Sequence, residues 1–417
     1  MPEPTTTRSA SAEKHTPEPL GRRRGIGLCL SGGGFRATLF HLGALQRLNE
    51  LGVLSRADFR TVSSVSGGSI TAAHIASVIR WPLRDRVPDW AESVARPLRR
   101  FTSQDIRTGP VLDRLLLPWN WLRESTAVES LARRYAKLTP LMLASLPQQP
   151  DVVLCATDMS FGVNWEFRRD RLGDYLAGRV DTPPDWPLAR AVAASSCFPP
   201  VFNPLPMRFP PERYSGGKAA QDDKKAWRAA LEDLRLTDGG IYDNMGLEPV
   251  WKNHLSVLVS DAGGLFDFES DRNFIWRIER YDAIQENQSR ALRKRWLISS
   301  FVEGVMQGTY WGTGSARSSF FPQDQSGYSK ALARDIIATI RTDLDAFSDA
   351  EAAVLQNHGY LLADAALKKH VPDLYGPAAP PLTPPSPDWL PPEKTEAEIR
   401  KALRNSHKRK LLGRKRP

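Results

Sequence analysis

Near the N-terminus the chain alternates between two hydrophobic periods. Gly25 to Leu30 (GIGLCL) is a short, almost wholly apolar run, as in a strand buried on both faces, and it leads into the glycine-rich SGGGFRA. The period then changes: Leu39, Leu42, Leu45 and Leu48 recur every third residue, predicting a helix over Ala37 to Leu51, and Gly52 supplies the left-handed position that ends it. Phe59 to Val65 is again strand-like, runs into Ser66, Gly67 and Gly68, and is followed by the helical SITAAHIASVI. Two successive strand, glycine turn, helix units predict an α/β three-layer sandwich with a mostly parallel central sheet, a class that binds ligands beyond the carboxyl ends of its strands.

Further strands are expected at Asp151 to Ala156, Val163 to Phe167 and Leu255 to Ser260, and helices at Pro187 to Ser195, Asp271 to about Leu297 and Tyr328 to Leu344. A last helix opens on the capping box Ser348-Asp349-Ala350-Glu351 and closes on Lys368, Lys369 and His370, which suit the negative end of its dipole. Trp81 to Pro147, rich in Arg, Trp, Leu and Pro, predicts a helical insertion, whose apolar side chains either pack on the body or cap the site; packing is the expectation for an apolar stripe at helical spacing. There is no internal repeat.

Composition bounds the rest. With 417 residues and 41% apolar content the chain can build a large core. It contains no run of 18 apolar residues and no export signal at its start, so a cytosolic location is the expectation. Cys29, Cys155 and Cys197 lie among small or apolar neighbours with no metal-ligand spacing, which predicts reduced core thiols.

The net charge of +10 is confined to the ends. Residues 400–417 hold nine Lys and Arg and no acid, whereas residues 25–399 are close to neutral. A nucleic-acid-binding face is therefore not expected. Nine of the 22 positions from Val371 to Pro392 are proline, a density that excludes helix and sheet interiors. The expected organisation is a disordered segment over 1–24, a body over 25–370 with its insertion at about 81–147, a proline-rich linker over 371–399 and a basic tail over 400–417 that is tethered rather than packed. Such a tail either anchors the protein peripherally on an anionic membrane surface or is a solvated end.

Candidate chemistry centres on a serine. A hydroxyl that attacks an ester needs presentation on a tight turn, a base within reach and donors for the oxyanion. Ser66 stands in Ser64-Val65-Ser66-Gly67-Gly68, a G-x-S-x-G elbow with serine in place of the first glycine. Gly32, Gly33 and Gly34 follow a strand and open a helix, where free amides and the positive dipole end lie; lacking the endings of phosphate-binding loops, they read as an oxyanion hole. For the base, His15 and His407 fall in the tails and His41, His74, His358 and His370 in helices; His254, near a strand end, has no turn signature. Asp238, followed by Gly239 and Gly240, is either a base or an ordinary turn aspartate.

SGGGFRA, the SVSGG elbow, AVAASSCFPPVFNPL and DGGIYDNMG stand in the order found in patatin-like phospholipases, and SGGGFRA also resembles the catalytic domain of cytosolic calcium-regulated phospholipases. The resemblance covers roughly Gly25 to His370. It implies a Ser-Asp dyad without histidine: Ser66 as nucleophile, Asp238 as base, the amides of Gly32, Gly33 and Gly34 as the oxyanion hole, and Arg36 as a residue that braces the loop or meets a lipid phosphate. The implied activity is acyl-ester hydrolysis of membrane phospholipid, of phospholipase A type, requiring neither metal nor cofactor. An acyltransferase with the same acyl-enzyme and a non-catalytic lipid-binding scaffold are the alternatives.

Overall fold

The computed structural model describes residues 23–116, 126–199, 201–264 and 274–409. The two N-terminal apolar runs are β1 (Ile26–Leu30) and β2 (Phe59–Val65), followed by the predicted helices Gly34–Glu50 and Gly67–Val78. Eight more strands complete one sheet: β3 (Asp151–Asp158), β4 (Val163–Phe167), β5 (Arg171–Asp174), β6 (Gly178–Asp181), β7 (Leu205–Pro206), β8 (Arg235–Asp238), β9 (Ser256–Asp261) and β10 (Gln307–Gly312). The order is β10-β9-β1-β2-β3-β4-β5-β6, with β8 also on β3 and β7 on β8. β10, β9, β1, β2 and β3 are parallel, as the alternating pattern predicts. β4 to β6 extend this sheet antiparallel, because a connection as short as Met159 to Gly162 returns the chain alongside its own strand and cannot cross over.

Helix Gly34–Glu50 lies against Asp349–His370, backbone close to backbone: a Cβ on Gly43 would stand 1.8 Å from the Gln356 carbonyl oxygen, and one on Gly359 1.9 Å from that of Phe40. The second helix is buried along most of its length and opens on the predicted capping box, with Ser348 Oγ accepting from the Glu351 amide and Glu351 Oε2 from the Ser348 amide. The insertion packs into the same core through Val94, Leu98, Phe101, Val128 and Leu131, with Phe101 edge-on to Phe35; residues 117–125 of it lie outside the described residues. All three cysteines are buried free thiols. No helix among the described residues is long and apolar enough to cross a membrane.

Two expectations need correction. The helix expected over Tyr328 to Leu344 is only a short turn, Lys330–Leu332, and a wide one, Ala333–Ile337. Beyond it the carbonyls of Ala338 and Ile340 turn to accept from Arg36, and that of Asp343 accepts from the Phe35 amide, so they are lost to a helical ladder.

The proline-rich stretch is also not a free spacer. Proline removes donors but leaves carbonyls, and side chains of the body bind them or the backbone nearby: Arg47 donates to Pro380 O, Asn357 to Ser386 O and Tyr328 to Trp389 O. Beyond it, helix Glu396–Leu403 buries Ile399 and Leu403 in the main core, and Arg341 donates to Ser406 O. The packed body therefore includes residues 400–409 of the tail expected to be tethered. Residues 1–22, expected to be disordered, and 410–417 lie outside the described residues.

Candidate active site

Ser66 leaves the end of β2 with φ 50° and ψ −115°, the one non-glycine residue of positive φ among the described residues. Such backbone costs about 1–3 kcal/mol and persists where its surroundings fix it. Here they do so from two sides. Gly67 and Gly68 admit the turn, since a Cβ on either would meet the carbonyl oxygens of Gly34 at 2.1 Å or Leu30 at 2.2 Å. Beneath it, the Ser66 amide donates to Ser195 Oγ at 2.9 Å, which donates to Cys155 O at 2.6 Å and shares a 2.8 Å bond with Ser69 Oγ. Ser64, in the place of the elbow's usual glycine, accepts from Ser69 Oγ and donates to Val153 O. Nothing local in AVAASSC marks Ser195 as part of this network; only its helix, Leu188–Ser195, brings it there.

Asp238 ends β8, is buried, and lines the same pocket as Ser66. Burial pushes that carboxyl up to about 7 from an ordinary 3.8, against the opposing pull of the Gly240 amide and Ser66, with the Glu286 charge adding a further rise. Gly239 lets the acid approach β3, because a Cβ there would lie 2.4 Å from Cys155 O. The Gly240 amide, 2.7 Å from Asp238 Oδ1, fixes the carboxyl's orientation.

Gly33 (φ 139°) and Gly34 (φ 56°) turn the loop after β1, and their amides have no hydrogen-bond partner among the described residues. Gly32 differs from the expectation: its amide donates to Asn244 O at 2.9 Å, so it is not available to a bound oxygen. Arg36, expected to brace the loop or to meet a lipid phosphate, binds backbone carbonyls of other segments. Its guanidinium donates to Ala262 O, Ala338 O and Ile340 O, and it is not among the residues lining the pocket.

Ser66 and Asp238 open onto a pocket of about 270 Å³. Phe198, Val201 and Phe202 form an apolar wall, and Ala283, Glu286 and Arg290 of helix Phe274–Val302 another. Arg290 is paired with Asp261 at 2.9 Å; burial would raise that carboxyl, but Arg290 and hydrogen bonds from Gly263 and Tyr310 hold it well below the usual range. Arg107, Asp343 and Arg409 form a third wall that the sequence did not single out. No histidine lines the pocket among the described residues. His254 bonds Val250 O and Thr61 Oγ1, His41 bonds Ser260 and Ser31, and burial lowers both, His41 to about 4.

Fold and site define a mostly parallel α/β protein that presents a serine on a strand-to-helix elbow against a buried aspartate. Residues 28–251, more than half of the chain, match the model of the patatin-like phospholipases, and the chain belongs to that family of lipid hydrolases. No curated protein matches it in sequence. Among solved structures it is similar to human GIVD cytosolic phospholipase A2, with 15% identity and a TM-score of 0.37 over 57% of this chain and 45% of that one. For the same human protein in complex with methyl gamma-linolenyl fluorophosphonate the identity is 13% and the TM-score 0.43, over 92% and 59%. VipD from Legionella pneumophila gives 17% and 0.35, over 84% and 68%. The chain thus spans less than two thirds of the length of either human chain.

Proposed function

We propose that the protein is a serine acyl hydrolase of phospholipase A type, acting on fatty-acyl esters of membrane glycerolipids through Ser66 and Asp238. The observation that carries this reading is that Ser66, held at positive φ on its elbow, lines the same pocket as Asp238, a carboxyl whose proton affinity burial raises to about 7. An aspartate at its ordinary value is a weak base; one near 7 is about half ionised at neutral pH and binds the serine proton far better.

In the first half-reaction Asp238 takes the proton of Ser66 as Oγ attacks the ester carbonyl. The amides of Gly33 and Gly34 receive the oxyanion, helped by the positive end of helix Gly34–Glu50. Collapse of the tetrahedral intermediate breaks the ester bond, and the proton passes from Asp238 to the departing alcohol. Asp238 then takes a proton from water as it attacks the acyl-serine, and returns it to Ser66 Oγ as the fatty acid leaves. Phe198, Val201 and Phe202 offer the acyl chain an apolar surface.

Lipid mass spectrometry after incubation with vesicles of neutral and anionic composition tests the reading, alongside fluorophosphonate labelling. Free fatty acid is expected from the wild type and none from Ser66→Ala, with the probe attached at Ser66. A wild type that neither releases fatty acid nor takes the label is a lipid-binding scaffold instead.

A further inference from the structure

The third wall of the pocket is cationic in a particular way. Asp343 Oδ2 binds Arg107 Nη1 and lies 3.5 Å from Arg409 Nε, while its Oδ1 accepts from the Leu344 amide at 2.7 Å. Asp343 is nearly buried, Arg107 has 13% of its side chain exposed and Arg409 58%, so one guanidinium is sunk in the wall and the other stands at its rim. Two guanidinium groups on one carboxylate give this trio a formal charge of +1. The trio is also joined to the catalytic loop. Asp343 O accepts from the Phe35 amide at 2.9 Å, and a Cβ on Gly34 would lie 2.5 Å from that oxygen. The positive charge therefore borders the loop that lines the pocket together with Ser66.

Elsewhere in the lining, Glu286 repels an anion, and Arg290 is paired with Asp261. A third side is apolar, at Phe198, Val201 and Phe202. The pocket that holds Ser66 thus offers an apolar surface and, at Arg107 and Arg409, an anion-accepting one. A glycerophospholipid carries both matching groups: an acyl chain and, a few bonds from the scissile ester, a singly charged phosphodiester. Guanidinium suits it, being planar, weakly hydrated and able to bind two phosphate oxygens at once. We propose that Arg107 and Arg409 form the subsite for the head-group phosphodiester of the substrate and so orient its ester on Ser66. This rests on the acyl-hydrolase reading and extends it to substrate class, and it gives the C-terminal segment a place in the pocket itself.

The test compares two soluble esters with the same acyl chains, dibutyryl phosphatidylcholine and the neutral dibutyrylglycerol. Arg409→Gln is expected to lower the ratio of their kcat/KM values about tenfold, chiefly through KM for the phosphodiester. Arg107→Gln should lower the ratio further, and Arg409→Lys should restore part of it. Equal losses on both esters would mean that the arginines only hold Asp343 in place, and an unchanged ratio would also overturn the subsite. Calorimetry on Ser66→Ala reads binding without turnover, with glycerophosphocholine and inorganic phosphate as probes. Binding of the diester that weakens in Ser66→Ala/Arg409→Gln supports the proposal; binding of inorganic phosphate alone assigns the site to a free ion and overturns it. If the wild type hydrolyses neither ester, the hydrolase reading has failed, and the calorimetry still decides the subsite.

Discussion

Ser66 and Asp238 are neighbours because β2 and β8 lie end to end along the same edge of β3. Val65 pairs with Cys155 as the last residue of β2, and Asp238 pairs with Ala156, the next residue of β3, from a strand running the opposite way. β4 occupies the other edge of β3 over the same residues. The serine therefore leaves the sheet at the point where the aspartate arrives, and backbone pairing sets their proximity.

Loss of either partner should abolish turnover without unfolding the protein. Ser66→Ala and Asp238→Asn are expected to lower kcat for a soluble ester by roughly 10³-fold or more, with thermal unfolding close to wild type. His254→Ala is expected to leave turnover within a few-fold of wild type, since the His254 ring bonds Val250 O and Thr61 Oγ1 and does not line the pocket among the described residues. Turnover lost in His254→Ala and kept in Asp238→Asn would sink the dyad.

The raised carboxyl of Asp238 predicts a pH profile. The base works only when ionised, and its value is about 7. Hence kcat/KM should rise about tenfold per pH unit in acid and level off above about 7. A profile already flat from pH 5 upward would show that the ionising group is not this one.

Ser195 is expected to act through Ser66. In Ser195→Ala the Ser66 amide loses its acceptor, leaving a buried donor unpaired at a cost of about 1–3 kcal/mol and loosening the elbow. A fall in kcat of about tenfold with little change in KM is expected, together with a lower unfolding temperature. Ser195→Thr, which keeps a hydroxyl, should recover part of both; if it recovers only stability, Ser195 has no positioning role.

Asp158 and Asp174 are neighbouring buried acids, with backbone amides on their Oδ1 atoms. Burial, with the neighbouring Asp158 charge, pushes Asp174 up to about 8 from 3.8. The folded state holds this proton more tightly, so the stability it confers is full in acid and declines as pH rises from 3.8 through about 8. Asp174→Asn keeps an oxygen for the amides and offers Asp158 an N–H. Thermal unfolding between pH 5 and 9 should show a flatter dependence and a higher midpoint at pH 9 than wild type; an unaltered slope would remove the pair from the account.

Where the C-terminal segment is cut should matter. Deleting 400–417 removes Leu403 from the core and the Ser406 carbonyl from Arg341, at a cost of about 2–5 kcal/mol. Deleting 410–417 spares both and removes Lys410, Arg414, Lys415 and Arg416. If those charges anchor the protein, the shorter deletion should keep its unfolding temperature but weaken sedimentation with anionic vesicles at low salt more than at high salt. Equal sedimentation would make this end a solvated one.

The order of elements around the two glycine turns was legible in the sequence because apolar period and glycine placement are local properties. That is why Ser66, the loop at Gly32 to Gly34 and the capping box at Ser348 could be placed from residues alone. The irregular stretch after Tyr328 was not legible, because a helical pattern there yields to the carbonyls that Arg36 and Phe35 require. Nor was the packing of the proline-rich segment, since proline density reports missing donors and is silent on carbonyls that distant side chains bind.

By itself, then, the sequence determined the α/β class, the serine on its elbow and the glycine-flanked acid, each written in consecutive residues. Tertiary structure alone decided that Asp238 meets Ser66, that the Gly32 amide is already taken while those of Gly33 and Gly34 are open, and that Arg107 and Arg409 border the same pocket. These depend on strand register, burial and contacts between distant segments, and no local pattern of residues encodes them one by one.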